Sequence, residues 1–293
     1  MKNILKTLCY QISKIIPSKI YLRIVYIIKI HKRLNLKKPQ TFNEKMQWLK
    51  LYDRKDIYTK MVDKYEVKEY VSKIIGEEYI IPTLGVYDNY NDIEFDKLPN
   101  SFVIKCTHDS GGVAICKDKS TFDFINAKKI INDSLKNNYY YQGREWPYKN
   151  VQARIIIEKY MEDSETKELR DYKFFCFNGV PKYVVIYSDR EENTHNYSVM
   201  VYDMDWNAYP EFVNSRCPIS DIIPRPGALE EMISIASRLS EPFPFVRVDL
   251  YLINGSPIFG EMTFTPDVIS NITPELTDQM SKWIDITSLK QQL

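Results

Sequence analysis

The sequence predicts an α+β protein, with mainly antiparallel sheets and helices packed against them. The stretch Phe245–Pro266 carries most of that expectation. Apolar residues alternate through Val246, Val248, Leu250 and Leu252, Asn254-Gly255 forms a turn, and a second apolar run returns through Ile258 and Phe259. An Asn-Gly pair between alternating apolar runs is the strongest short-range signal for a β-hairpin. Asp171–Phe177, Asn178-Gly179 and Tyr183–Tyr187 repeat the pattern. Helical signals lie between the strands: Thr41-Phe-Asn-Glu44 is a capping box, and Ala228–Leu239 has helical spacing.

The remaining elements follow in chain order. Residues 1–40 form a basic amphipathic helical segment divided at Pro17, and a helical and extended region occupies 41–100. The capping box opens a helix through Met46, Trp48 and Leu49, and a second helix runs from Asp56 through Val62, Tyr65 and Val67 toward Tyr70. An extended segment starts at Ile80-Ile81-Pro82. Phe102–Cys106 and Val113–Cys116 read as strands around the loop Thr107–Gly112, and a helix capped by Thr121 spans 121–137. Arg154–Glu158 is a strand of the fully buried type. After a charged loop come the second hairpin, a strand at Tyr197–Tyr202, a proline-rich loop at Pro218–Pro226 and the helix that leads to the opening hairpin.

Composition narrows the function. The chain has 293 residues and a net charge of +1, unevenly spread. Residues 1–38 hold ten Lys/Arg and no Asp or Glu, which leaves 30 basic and 39 acidic residues for the rest. A basic amphipathic helix can lie on an anionic membrane surface, or pack on the protein and keep its lysines in water. No apolar run is long enough to span a bilayer and no cleavage site follows the apolar stretch Ile20–Ile30. Five cysteines without a CxxC pair argue against a disulfide framework or a zinc site and for a reducing cytoplasm. Three histidines, at 31, 108 and 195, exclude a His-rich metal centre, and no Gly-x-Ser-x-Gly context supports a hydrolase triad. No nucleic-acid partner is expected.

Several residues could carry chemistry. Asp249 and Glu261 stand five and six residues from the Asn254-Gly255 turn, so the hairpin can bring their carboxylates together. Two such acids repel unless a cation or proton lies between them, and Mg2+ is a natural occupant; the alternative is a structural hairpin with solvated acids. In Thr107–Gly112, Ser110 and Thr107 offer hydroxyls and Gly111-Gly112 lets backbone N–H groups approach a phosphate, although the P-loop pattern is absent. Lys105 lies inside an apolar strand, where an ammonium is costly unless it meets an anion. Lys173 and Arg247 repeat that pattern, and Arg247 shares a strand face with Asp249. Three strand cations and two carboxylates suit a nucleoside triphosphate and its metal. Asp203-Met-Asp205 is a competing metal pattern, of the kind many glycosyltransferases use, or a turn.

In this order the motifs resemble the ATP-grasp superfamily, and within it the TupA-like branch linked to teichuronopeptide and other cell-surface polysaccharide synthesis. The likeness rests on Phe42–Trp48, Asp63-Lys64-Tyr65, Lys105–Gly112, Ile157–Tyr160, Asp171–Gly179, Arg247–Tyr251 and Gly260-Glu261-x-Thr263, and covers about residues 40–275. It implies two α+β subdomains that grasp ATP between them, a lid at 101–165 and a metal-bearing C-terminal subdomain at 166–293. Lys105 would contact the nucleotide, with Lys64 near the site, and Ser110, Gly111 and Gly112 would close over the phosphates. Glu158, Tyr160 and Met161 would form the adenine hinge. Asp249 and Glu261 would bind Mg2+, with Thr263 where many members have Asn, and Arg247 and Lys173 would act on the transferred phosphoryl. The ribose-binding acid is open among Asp163, Glu165 and Glu168. The implied activity is ADP-forming carboxylate–amine ligation through an acyl phosphate. The substrates would be a uronic-acid carboxylate and an amino acid or amine, in capsule or envelope polysaccharide synthesis. The enzyme would be cytoplasmic, held at the inner membrane face by residues 1–38. A glycosyltransferase and a non-catalytic membrane scaffold are the alternatives.

Overall fold

A helical turn at residues 10–15 (α1) leads to α2, Ser18–Ile30, whose buried side chains are Leu22 and Tyr26. The structure, a computed structural model, describes residues 10–167, 169–189, 197–267 and 271–290, and of Ser288 the backbone only. Cys9, His195 and Glu168 lie outside the described residues, as do the basic residues Lys2 and Lys6. The chain divides into two compact units. One holds the described residues up to Val67 together with Pro82–Tyr160; the other holds Lys68–Ile81 and the described residues from Met161 onward.

In the first unit α2 is followed by α3, Phe42–Tyr52, whose capping box is complete: the Thr41 hydroxyl accepts from the Glu44 amide, and the Glu44 carboxylate accepts from the Thr41 amide. The helix expected from Asp56 to Tyr70 is two helices, α4 at Asp56–Val62 and α5 at Glu66–Ile75, of which Lys68–Ile75 belongs to the second unit. Asp63 causes the break. Its Oδ1 accepts from the amides of Tyr65 at 2.8 Å and Glu66 at 3.2 Å, so it ends one helix and caps the next. The helix expected at 121–137 is shorter, α6 at Phe124–Leu135, because Asp123 and not Thr121 caps it, accepting from the Asn126 amide at 2.9 Å. A short helix, α7 at Tyr140–Gly143, follows. The strands are β1 (Thr83–Tyr87), β2 (Phe102–Cys106), β3 (Val113–Cys116) and β4 (Ile155–Lys159). They pair antiparallel in the order β1-β4-β2-β3. Phe102, Ile104, Cys106, Ile155 and Ile157 form a core with Ala127 and Ile131 of α6. The opposite face of β2 is left to Val103 and Lys105, as period-2 alternation requires.

The second unit is built on a five-stranded antiparallel sheet of order β7-β6-β5-β8-β9. Its strands are β5 (Asp171–Phe177), β6 (Val180–Ser188), β7 (Ser198–Asp203), β8 (Val246–Ile253) and β9 (Ser256–Thr263). Both hairpin turns have positive φ at their central residues, 49° and 79° at Asn178-Gly179 and 51° and 77° at Asn254-Gly255. That geometry belongs to the turn that matches strand twist and explains the Asn-Gly choice. Helix α8, Leu229–Ser240, buries Leu229, Met232, Ile235, Ala236 and Leu239 at helical spacing and packs on β5, β6 and β8. The sheet therefore has an apolar face under α8 and an opposite face free to carry charge. Among the described residues no helix is long and apolar enough to cross a membrane.

Candidate active site

The register of β8 and β9 decides whether Asp249 and Glu261 can meet. Ile253 pairs with Ser256 and Leu250 with Phe259, but Asp249 pairs with Glu261. The pairing therefore skips Gly260, a one-residue bulge. Without it Asp249 would face Gly260, and the Glu261 side chain would turn to the α8 side of the sheet. The residue suits the place: a Cβ on Gly260 would lie 3.0 Å from the Asp249 carbonyl oxygen and 3.1 Å from the Tyr251 ring.

Around that pair the sheet face is densely charged. Lys173 is directly opposite Asp249 across β5 and β8. Its ammonium is 2.6 Å from Asp249 Oδ2 and 3.2 Å from Asp171 Oδ2. Arg247 donates from Nε to Asp249 Oδ1 at 2.6 Å, and from Nη2 to Asp249 Oδ2 at 2.5 Å and to Glu261 Oε1 at 2.9 Å. The Thr263 hydroxyl lies 3.4 Å from Glu261 Oε1. Asp249 is only 1% exposed. Burial works against both cations, but Asp249, with Asp171 beside the lysine and Glu261 beside the arginine, raises both above their ordinary values. Both stay protonated at every physiological pH.

Three partners on this face were not singled out in the sequence. Asp171 belongs to a motif already noted, and its i,i+2 spacing to Lys173 puts it on the same strand face. Tyr187 is opposite Asp171 on β6, and the Lys173 ammonium sits 5.2 Å from its ring centroid. Its hydroxyl accepts from Asn271 Nδ2 at 2.6 Å, and burial raises its pKa. No sequence signal marks Tyr187 or Asn271, which lie 84 residues apart.

In the first unit Lys105 finds its anion within the protein. Its ammonium is 2.7 Å from Glu158 Oε2, so two residues expected to meet a nucleotide separately form one ion pair. The pair follows from strand order: β4 lies beside β2 with Glu158 opposite Val103, and Lys105 is two residues along the same face. Lys64 reaches the glycine loop, its ammonium donating to the Asp109 carbonyl. The Asp109 carboxylate accepts from the Ser134 hydroxyl of α6 and from the Gly112 amide at 3.2 Å. A Cβ on Gly112 would strike Ser134 and lie 2.8 Å from Cys106 Sγ, so this glycine serves close packing. Ser110 and Gly111 are the exposed tip. Thr107 is not available to a ligand: it is fully buried, and its hydroxyl donates to the Gln152 carbonyl at 3.1 Å. His108 is likewise a buried packing residue, with Nε2 held 3.0 Å from the Asn137 carbonyl. Tyr160 follows β4, with the Lys117 ammonium 6.0 Å from its ring centroid. Met161 belongs to the second unit and packs on Ile81, Ile253 and Ile258.

Two acid patterns are committed elsewhere. Asp163 Oδ1 accepts from the amides of Glu165 and Thr166, and Oδ2 accepts from the Asn254 amide at 2.8 Å, so it ties its loop to the β8–β9 turn. Of the ribose candidates, Glu165 is exposed in that loop. Asp203 accepts from the amides of Asp205 and Asn207, from Asn207 Nδ2 and from the Tyr209 hydroxyl. Burial opposes its ionisation, but those four donors hold its pKa below the carboxylate norm. Asp203-Met-Asp205 is thus a turn whose first acid is saturated.

The donor set fits a hard divalent cation. A single nitrogen, Arg247 Nη2, contacts Asp249 at 2.5 Å and Glu261 at 2.9 Å, so the carboxylates already bracket the position of one positive charge. All candidate donors on Asp249, Glu261 and Thr263 are oxygens, as Mg2+ requires. Among the described residues no cluster of three or more His, Cys, Asp or Glu could hold a metal. Two carboxylates leave most of an octahedron to phosphate oxygens and water, which is how Mg2+ is commonly held.

The family to which the sequence belongs makes this an ATP-grasp enzyme, in the class of ADP-forming ligases. Residues 44–281 match the family described as TupA-like ATPgrasp, and the chain belongs to that family. No curated protein sequence matches the chain. Among solved structures it is similar to D-alanine–D-alanine ligase from Bacillus anthracis, with 16% identity over 86% of this chain and 72% of that one and a TM-score of 0.45. The same ligase complexed with ATP matches at 18% identity over 85% and 69%, with a TM-score of 0.43. The VanG D-Ala:D-Ser ligase from Enterococcus faecalis matches at 12% identity over 82% and 62%, with a TM-score of 0.46. Likenesses this distant carry no substrate over to the chain.

Proposed function

We propose that the protein is an ATP-dependent carboxylate–amine ligase that forms an amide in a cell-surface polysaccharide or its precursor, at the cytoplasmic face of the plasma membrane. A carboxylate oxygen, of a uronic acid or an amino acid, attacks the γ-phosphorus of ATP and ADP leaves. The resulting acyl phosphate is attacked at carbon by an amine, phosphate leaves, and the amine's proton passes to solvent. Lys105 and Glu158, with Tyr160 and Met161, would hold the nucleotide, and Lys64 would fix the loop whose exposed tip, Ser110 and Gly111, meets the phosphates, while Gly112 packs beneath it. Asp249, Glu261 and Thr263 would hold Mg2+. The chemistry such an ion supplies is neutralisation of phosphate oxygens as charge moves onto ADP. Arg247 and Lys173 orient the transferred phosphoryl and balance its charge.

One observation carries this reading: Asp249 and Glu261 converge on a single cation position beside Lys173, on the face of the sheet opposite α8. The glycosyltransferase alternative loses support because Asp203 is saturated by its own turn. The membrane location rests on the acid-free, ten-cation stretch 1–38. The test is ADP release in the presence of ATP and Mg2+ across a panel of amino acids and uronic acids. Substrate-dependent ADP release supports the ligase. Stabilisation by a UDP-sugar without ATP turnover would support the transferase, and no response to either would leave the scaffold.

A further inference from the structure

The helix α2 is inverted relative to a surface helix of a water-soluble protein. Its inner face, Leu22 and Tyr26, is buried against the first unit. Its outer face carries Ile20, Ile24, Ile27 and Ile28, with spacing i, i+4, i+7, i+8, and all four are exposed, Ile28 by 66%. Ile12 and Ile15 before it are exposed by 43% and 81%. A polar residue is expected at each of these positions in water, and a contiguous exposed apolar stripe marks an interaction site. Fraying does not explain it, because the segment is locked down. Arg144 is 1% exposed, donates to the carbonyls of Ser13 and Ile16, and its guanidinium lies 4.5 Å from the Tyr21 ring centroid. Ser18 bonds Tyr140 at 2.7 Å and Tyr21 bonds the Gln142 carbonyl at 2.7 Å.

What flanks the stripe identifies its partner. Lys14, Lys19, Arg23, Lys32 and Arg33 are all exposed, and the first acid in the chain is Glu44. Isoleucines flanked along the chain by cations and by no acid are complementary to a surface that is apolar beneath an anionic layer. A second copy of this chain would set cation against cation. We propose that the outer face of α2 is a fixed interfacial docking surface for an anionic phospholipid bilayer. The isoleucines enter the acyl boundary, the lysines and arginines engage headgroup phosphates, and α2 lies in the membrane plane. The stripe from Ile20 to Ile28 is about 12 Å long, too short to span and long enough to lie flat. This inference rests on the membrane location proposed above and names the surface responsible.

The test is co-sedimentation of the full chain with vesicles of phosphatidylcholine alone and of phosphatidylcholine with phosphatidylglycerol. The expected result is binding to the anionic vesicles, weakened by salt, with little binding to neutral ones. Ile24→Ser with Ile28→Ser keeps every charge and touches no core residue; it is expected to lower binding about tenfold. Its melting temperature and ATP turnover should match the parent's. Lys19→Gln with Arg23→Gln should lower binding to anionic vesicles only, by about fivefold per charge. Absence of wild-type binding at low salt would overturn the proposal, as would serine variants that bind like wild type. A wild-type dimer that the serine pair converts to monomer, without vesicle binding, would overturn it in favour of self-association. Vesicle binding needs no ATP. A chain that binds as expected but releases no ADP on any substrate refutes the ligase reading and leaves this inference standing.

Discussion

Replacing Asp249 by Asn separates what this carboxylate does for the fold from what it does for ATP. The side chain is buried and accepts charged hydrogen bonds from Arg247 Nε at 2.6 Å, Arg247 Nη2 at 2.5 Å and Lys173 Nζ at 2.6 Å. Asn keeps the volume and one acceptor oxygen but turns an amide toward a cation. Breaking a buried ion pair costs about 3–5 kcal/mol. The cost here belongs at the lower end, because Asp171 and Glu261 still balance the two cations. A loss of about 3 kcal/mol lowers the melting temperature by roughly 6–12 °C in a protein of this size. Glu261→Gln is the control: its side chain is 37% exposed and pairs with Arg247 at 2.9 Å, so its cost is about 1 kcal/mol or less. Both variants should lose the Mg2+-dependent part of the thermal shift given by ATP, and both should release ADP about 100-fold more slowly or worse. Thermal shift with ATP in Mg2+ and in EDTA, with ADP release alongside, reads all of this. A parental melting temperature in Asp249→Asn would refute the ion-pair reasoning, and a parental Mg2+-dependent shift in both variants would sink the metal assignment.

Gly260→Ala should cost about 1–2 kcal/mol, since its Cβ would press on the Asp249 carbonyl at 3.0 Å; its ATP affinity in Mg2+ should fall more than its affinity in EDTA, because Glu261 is displaced. Asp203 has a folded pKa below its unfolded one, so its contribution to stability is present above the unfolded value of about 4 and is lost as pH falls through the folded value. Asp203→Asn should therefore flatten the acid-side fall in melting temperature, and a profile parallel to wild type would count against that role. Burial pushes the Cys106 thiol up to about 11 and the Cys176 thiol up to about 12, and Cys116 is also buried. At neutral pH these three thiols should resist a maleimide until the chain unfolds, and prompt labelling of all three would contradict the packing.

The sequence gives the neighbourhood of each charged residue more readily than its partner. The β8–β9 hairpin is legible because Asn254-Gly255 and the apolar alternation are local, and the unequal spacing of five and six residues even hints at the Gly260 bulge. Asp171 could have been read from its i,i+2 relation to Lys173. The Lys105–Glu158 pair could not, because it depends on β4 inserting beside β2 across some fifty intervening residues, a tertiary choice that no local pattern encodes. Asp63 misleads for the opposite reason. Its surroundings have helical periodicity throughout, yet a short carboxylate that can cap two amides competes with the helix and wins.

A lysine inside an apolar strand requires an anion, and the protein supplies an internal one in Glu158. The same holds on the second sheet, where Asp249 satisfies both Lys173 and Arg247. Lys173 and Arg247 are thus held in place and charged before any ligand arrives, which in the proposed ligase is the condition for electrostatic catalysis without reorganisation. Among the described residues, the cluster around Asp249 sets two cations, Lys173 and Arg247, against three carboxylates, Asp171, Asp249 and Glu261. It therefore has one negative charge too many to receive a triphosphate alone. A divalent cation turns that deficit into an excess of one positive charge. In the proposed ligase, charge balance in this cluster predicts that metal and nucleotide binding are interdependent, so ATP in EDTA should bind more weakly than ATP in Mg2+.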